Sequence, residues 1–225
     1  MQKTEAIVIY SFPFKDRKYM LELFTREHGK MTFVTNRRLQ PLTIIEIVFD
    51  EHKQKLSAID IALAYKTILY NPVKLSISFF IAEFLRYATR NEPTNLPLYD
   101  YLRQALMWFD VVEDSFANFH LVLKKRLSAF LGSPPDTDNF HAGDFFDLRE
   151  AQFTTLQPMH PDHLSSAEAA SIVTLMRMNF ASMHLFKLNK DQRNHIADHI
   201  IQYYRLHIPG FQEMKSLQVL RELFD

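Results

Sequence analysis

The sequence predicts an α+β protein, β-rich at its N-terminus and all-helical after it, because the hydrophobic period changes once along the chain. Up to about residue 70 the apolar residues alternate or fall in short β-branched runs. From Ile77 onward they recur at i, i+3 and i+4. Five strand-like runs with turn-length connections and no helix between them suggest a small barrel or sandwich, and five is also the strand count of an OB barrel. Strands followed by helices imply separate layers or separate domains. The expected division is residues 1–70 and 71–225, with an irregular insert at about 133–164.

Ala6–Tyr10 is the first apolar, β-branched run. Tyr19–Thr25 alternates, with Tyr19, Leu21 and Leu23 on one face and Met20, Glu22 and Phe24 on the other. Lys30–Thr35 alternates again, and His28-Gly29 marks a tight turn before it. Leu42–Asp50 is rich in Ile, Val and Phe, and Leu56–Tyr65 follows the polar stretch Glu51–Lys55. Asn71-Pro72 breaks the chain, and a helix carries Ile77, Phe80, Ile81, Phe84, Leu85 and Ala88. A second runs from about Leu98 to Phe109. A third, from about Ser115, carries Phe119, Leu123, Leu127, Phe130 and Leu131, and Gly132 with Pro134-Pro135 stops it. Ser165-x-x-Glu168 has the form of a capping box, in which each side chain satisfies a free backbone N–H at a helix start. Asn189 is placed to cap a helix from Asp191 to about His207. Ser216 is placed to cap a last short one through Leu217, Leu220 and Phe224.

The chain has 225 residues, 26 Lys+Arg against 26 Asp+Glu, and no cysteine. Disulfides, thiol nucleophiles and cysteine-based zinc sites are therefore excluded. Residues 1–75 hold 12 Lys+Arg and 8 Asp+Glu, so the neutral total hides a basic N-terminal third. No apolar run reaches the roughly 18 residues of a membrane span. The N-terminus lacks the small-residue pattern of a signal peptide, so the cytosol is the expected compartment. No G-x-S-x-G, Walker loop or G-x-G-x-x-G occurs, no catalytic residue is assigned, and an enzyme is not expected.

TEAIVIYSFPFKDRKYMLELFTREHGKMTFV, ANFHLVLKKRLSAFLGSPP and the tail YYRLHIPGFQEMKSLQVLRELF together resemble the RecO family, in the form typical of Bacteroidetes. NPVKLSISFFIAEFLRYATRNEPTNLPLYDYL resembles that family's first helices after the barrel. The phrases occur in the family's order over nearly the whole chain. The resemblance implies an OB barrel followed by a helical bundle. It implies a DNA-repair and recombination mediator, nucleoid-associated, that binds single- and double-stranded DNA and anneals strands. It also implies two partners, RecR and the acidic C-terminal tail of single-stranded-DNA-binding protein, and help in loading RecA. Many relatives carry a four-cysteine zinc site in the region of residues 133–164. Here Phe140–Phe153 must be held by packing instead, and no metal or cofactor is expected. Relatives often have a longer basic loop after the third strand, where this chain has only residues 35–41.

Lys15, Arg17 and Lys18, between strands one and two, and Arg37 and Arg38, after strand three, are the candidate phosphate contacts, and Lys30 is grouped with them. Phe12, Phe14 and Tyr19 are near enough in sequence to stack bases. Solvated basic loops are the common alternative, and the resemblance favours the binding reading. Lys124, Lys125 and Arg126 interrupt an apolar helix and suit an acidic, hydrophobic peptide tail, although the wet face of an amphipathic helix looks the same. His195 and His199 are i, i+4, and His160 and His163 lie nearby in sequence, but no third ligand stands at a recognisable spacing. Asp110 and Asp114 read as chance neighbours on an exposed helix face. Two other functions remain open: an OB-fold protein-interaction module with weak or no DNA binding, and a metal-dependent enzyme using the histidines.

Overall fold

The computed structural model describes residues 1–222. The chain packs as two compact units, Met1–Val112 with the segment from Glu213, and the intervening Glu113–Gln212.

In the first unit, β1 (Gln2–Pro13), β2 (Tyr19–Thr25), β3 (Gly29–Thr35), β4 (Ile44–Asp50) and β5 (Lys55–Leu63) form one antiparallel sheet in the order β3-β2-β1-β4-β5. β1 is long enough to serve two partners. Residues 2–7 pair with β4 and residues 6–13 with β2, and a register shift between Val8 and Tyr10 lets the strand bend between them. The period-two pattern sorts the side chains. Ala6, Val8, Leu21, Leu23, Phe33, Ile45, Ile47 and Phe49 share one buried cluster. Ile7, Phe24 and Ile44, neighbours in register, are fully buried on the other face. There Phe24 meets Tyr99, their ring centroids 6.3 Å apart.

The expected barrel is not closed. No β3–β5 ladder is present among the described residues. Where one would run, Arg37 Nη1 donates to the Ile59 carbonyl at 2.7 Å, a side-chain link in place of paired backbone.

The helices of this unit begin where their caps dictate. Asn71 Oδ1 accepts from the N–H groups of Val73 and Lys74 at the start of α1 (Pro72–Ala88), and Asn95 Oδ1 from Leu98 at the start of α2 (Leu96–Val111). Each helix carries proline in its first turn, where no backbone donor is lost. α6 (Ser216–Glu222) packs on α1, and its first N–H groups are met from 133 residues away: Glu83 accepts from Lys215 N at 3.0 Å and Ser216 N at 2.8 Å. Phe224, expected on this helix, lies outside the described residues.

Asp110 is not on an exposed face. It is 6% exposed and accepts from the backbone N–H groups of Lys66, Thr67 and Ile68 at 2.8–3.0 Å. Lys74, 1% exposed, lies beside it and donates to Thr67 Oγ1, the Asp110 carbonyl and the Val112 carbonyl. Asp114, by contrast, lies exposed beyond the end of α2.

In the second unit, α3 (Phe119–Phe130), α4 (Ser166–Arg177) and α5 (Lys190–His207) pack with a 3-10 turn at Met183–Leu185. The expected capping box forms at Ser165 with Glu168, and Asn189, expected as a cap, makes a second box with Gln192. The stretch 133–164, expected to be irregular, contains a small antiparallel sheet: β6 (Phe145–Asp147) between β7 (Gln152–Thr154) and β8 (His163–Leu164). These strands of two or three residues are too short to show a period. Phe153 holds them by packing, its ring 4.9 Å from Phe140 and 5.0 Å from Phe146.

Burial opposes the charge on Asp110, but the N–H groups of Lys66, Thr67 and Ile68 and the Thr67 hydroxyl more than offset it, so its carboxyl sits below the ordinary range. Asp110→Ala should cost about 3 kcal/mol in urea unfolding, because three backbone donors lose their acceptor. With the folded pKa depressed, this stabilisation is present above the unfolded carboxyl pKa and lost as pH falls through the folded one. The gap between wild type and variant should therefore narrow on acidification. Gly29 has φ +65°, and a Cβ there would lie 3.0 Å from Thr94 N. Gly29→Ala should lower stability by about 2 kcal/mol, from the left-handed backbone alone, as read by thermal melting.

Candidate nucleic-acid interface

The open seam between β3 and β5 is a groove of about 970 Å³. Its walls are Thr32–Thr35 of β3 and Lys55–Ile59 of β5, with Lys18 and Met20 at one side and Lys53 and Gln54 at the other. Four cations line it, Lys18, Arg37, Lys53 and Lys55, and no carboxylate does. The ring in its wall, Phe33, is 2% exposed and belongs to the core.

Local sequence builds each rim. The β1–β2 connection closes with Lys18 N donating to Lys15 O at 3.1 Å and Phe14 N to Lys18 O at 2.7 Å. Its central residues Asp16 and Arg17 both have positive φ, 54° and 61°, as a type I′ turn requires. Lys15, Arg17 and Lys18 are consequently exposed at its tip, and Tyr19 is half-buried at its base. After β3, Thr35 Oγ1 accepts from Arg37 N at 3.1 Å and turns the chain, sending Arg37 across the seam to Ile59. The β4–β5 turn is fixed by Asp50, which accepts from Lys53 N at 3.1 Å, and by Gln54 at φ 46°.

Of the sequence-derived candidates, Lys18 and Arg37 line this groove, and Lys15 and Arg17 stand at the adjacent tip. Arg38, one residue on from Arg37, lines a different groove beside α1. Lys30 is also elsewhere: its Nζ donates to Arg86 O at 3.2 Å and lies 3.6 Å from Glu22. Burial holds the Lys30 amine below its usual range, with Glu22 opposing. Glu22 is held by Arg86 at 2.6 Å, and that hydrogen bond raises the Arg86 pKa. Sequence reasoning missed Lys53 and Lys55. They fall in the polar stretch Glu51–Lys55 between the fourth and fifth apolar runs, and only the tertiary fold brings them to one groove with β3.

In the second unit the three consecutive cations part ways. Lys124 is fully buried and Arg126 is exposed. Lys125 Nζ donates to the Met176 and Met178 carbonyls at the end of α4, at 3.3 and 2.6 Å. Lys124 and Lys125 border a small apolar cavity of about 40 Å³ between α3, α4 and α5, walled by residues such as Ile172, Leu175 and Tyr204. The histidines are engaged separately: His160 Nε2 with Asp147 at 3.2 Å, and His199 Nε2 with Glu168 at 3.5 Å. Among the described residues no group of three or more His, Asp or Glu is placed to hold a metal ion. No described helix is long and apolar enough to cross a membrane.

Fold and groove define the class first: a mixed α+β protein whose five-stranded sheet carries an acid-free, cation-lined seam. The family model for the N-terminal part of Recombination protein O matches residues 1–67, and that for its C-terminal part matches residues 69–218. Proteins named DNA repair protein RecO are similar over full length: 40% identical in Bacteroides fragilis, with all of both chains covered, and 38% in Phocaeicola vulgatus, covering 100% of this chain and 99% of that one. A third, from Flavobacterium psychrophilum, is 32% identical, with 99% and 98% covered. The chain belongs to the RecO family.

Burial pushes the Lys124 amine down to about 7, against an opposing pull from Asp198. Between that value and the ordinary lysine pKa, the unfolded chain binds a proton that the folded one does not. Stability should therefore rise with pH from about 7 to about 10. Lys124→Met should flatten that rise and be the more stable protein at pH 7, measured by urea unfolding across the range.

Proposed function

We propose that the protein is a DNA-repair and recombination mediator that holds DNA by its phosphates in the β3–β5 groove. The observation carrying this is the groove's charge: four cations, no carboxylate, on an open sheet seam. We read the sheet as an OB barrel left open between its third and fifth strands. In that fold the face of strands two and three and the loops after strands one and four bind oligonucleotides. Lys18 with Lys15 and Arg17, and Lys53 with Lys55, belong to those two loops.

On this reading residues 1–70 form the nucleic-acid-binding domain, and residues 71–225 bind protein partners. Capture is electrostatic and takes single- and double-stranded DNA alike. Strand annealing, and RecA loading with RecR on DNA coated by single-strand-binding protein, follow as steps without covalent chemistry. The acidic tail of that protein is assigned to the surface of the helical unit beside Lys125 and Arg126, whose charges steer it.

The test is fluorescence anisotropy of a labelled single-stranded oligonucleotide at several salt concentrations. Affinity should be micromolar or tighter at low salt and fall steeply as salt rises. The triple variant Arg37→Ala, Lys53→Ala, Lys55→Ala should reduce the log–log slope by about 0.7 per contact removed. Absence of binding at low salt would sink phosphate capture and leave a protein-interaction module.

A further inference from the structure

We propose a second nucleic-acid site in the same unit: an aromatic groove beside α1 that takes unpaired bases. It rests on the nucleic-acid reading above and adds a site that reading does not use. The groove, about 440 Å³, lies between the end of β1, the loop after β3 and one side of α1. Rings dominate its walls. Phe79 is 45% exposed and Tyr10 38%, which are large values for side chains that burial would stabilise. Phe12 and Tyr87 complete the set.

Tyr10, Phe12 and Arg86 are in contact before any ligand arrives. The Tyr10 and Phe12 centroids are 5.4 Å apart at 32°, and the Arg86 guanidinium lies 4.1 Å from the Tyr10 ring centre. Glu22 holds Arg86 by two nitrogens, Nε at 3.0 Å and Nη2 at 2.6 Å, so the planar cation is locked in place. Rings and a planar cation held in place beforehand are what a base can pack against at little entropic cost.

Charge selects the same occupant. The carboxylates near this groove are already engaged, Glu22 by Arg86 and Glu83 by the backbone of Lys215 and Ser216. Arg38 and Lys215 are exposed on the rim, without an ion-pair partner among the described residues. Cations at the rim suit a phosphate backbone, and rings in the walls suit its bases. The β3–β5 groove has cations and no exposed ring, and this one has rings with a cationic rim. The two therefore divide the work: one holds backbone regardless of base, and the other distinguishes unpaired from paired strands. Arg37 and Arg38, adjacent in sequence, serve one groove each.

The experiment titrates full-length protein against three probes of one length: an oligothymidine strand, a strand of abasic tetrahydrofuran units, and a duplex. Phe79→Ala, at an exposed position, should weaken the oligothymidine strand roughly tenfold, the effect of one lost stacking contact. It should leave the abasic strand and the duplex unchanged. Arg38→Ala should weaken the oligothymidine strand and leave the duplex unchanged. Equal melting curves establish that the variants fold. If Phe79→Ala changes none of the three, or weakens the abasic strand as much as the oligothymidine, the second site is refuted. The first groove then stands, provided Lys53→Ala with Lys55→Ala weakens all three. Wild-type failure on every probe refutes both sites. An acidic aromatic peptide that binds in a Phe79-dependent way without displacing oligothymidine also refutes the second site, and makes this a peptide groove.

Discussion

The backbone of Lys66–Ile68 belongs to neither the sheet nor a helix, and Asp110 is what satisfies its N–H groups. These residues lie where the period changes from two to 3.6, so their N–H groups have no ladder or i−4 carbonyl to meet. An unsatisfied buried donor costs about 1–3 kcal/mol. One carboxylate at the end of α2 satisfies three of them. Lys74 lies beside it, and its three ammonium protons go to the Asp110 and Val112 carbonyls and the Thr67 hydroxyl. The strand-to-helix junction, the start of α1 and the end of α2 are thus fixed by one polar cluster.

That junction decides which face of the sheet is left for function. With α1 and α2 anchored there, Arg86 and Tyr99 reach the sheet, and Glu22 and Glu5 are the groups they meet. Arg103 adds an ion pair to Glu5 at 2.8 Å. On that covered side acids and bases cancel, and Lys30 is drawn into the cancellation. The β3–β5 seam receives no helix. No carboxylate lines it beside its four cations. A net charge of zero for the whole chain therefore conceals a local field, and a local field is what phosphate responds to.

Much of this was legible in the sequence, and the exceptions have a common cause. The strand runs were found because alternation reports a half-buried strand directly, and β2 falls on Tyr19–Thr25 as expected. The capping box at Ser165 and the cap at Asn189 are legible because their chemistry is local. What escaped was non-local. Asp110 looked exposed because its partners lie more than 40 residues away. Glu83 as the acceptor for α6, and Lys53 and Lys55 as the far wall of the groove, depend on contacts that no spacing encodes. The open seam escaped for a different reason: a strand count gives the number of strands and not whether the first edge meets the last. The short sheet in residues 133–164 has strands below the length at which any period can be read.

The position of Arg37 shows how the open seam and the charge depend on each other. Arg37, two residues past the end of β3, donates to the Ile59 carbonyl of β5 and so ties the loop after β3 to the far strand by a side chain. Had β3 and β5 paired directly, their backbone groups would be satisfied and the groove between them would vanish. The open arrangement gives up ladder hydrogen bonds that water can replace at an exposed edge, at small net cost. In return it leaves a channel whose walls are threonine hydroxyls and lysine amines. The same open edge is an invitation to another chain's strand. Lys53 and Lys55 at the start of β5 are the residue type that discourages such pairing. The charge that suits the groove to phosphate therefore also protects the edge that makes the groove.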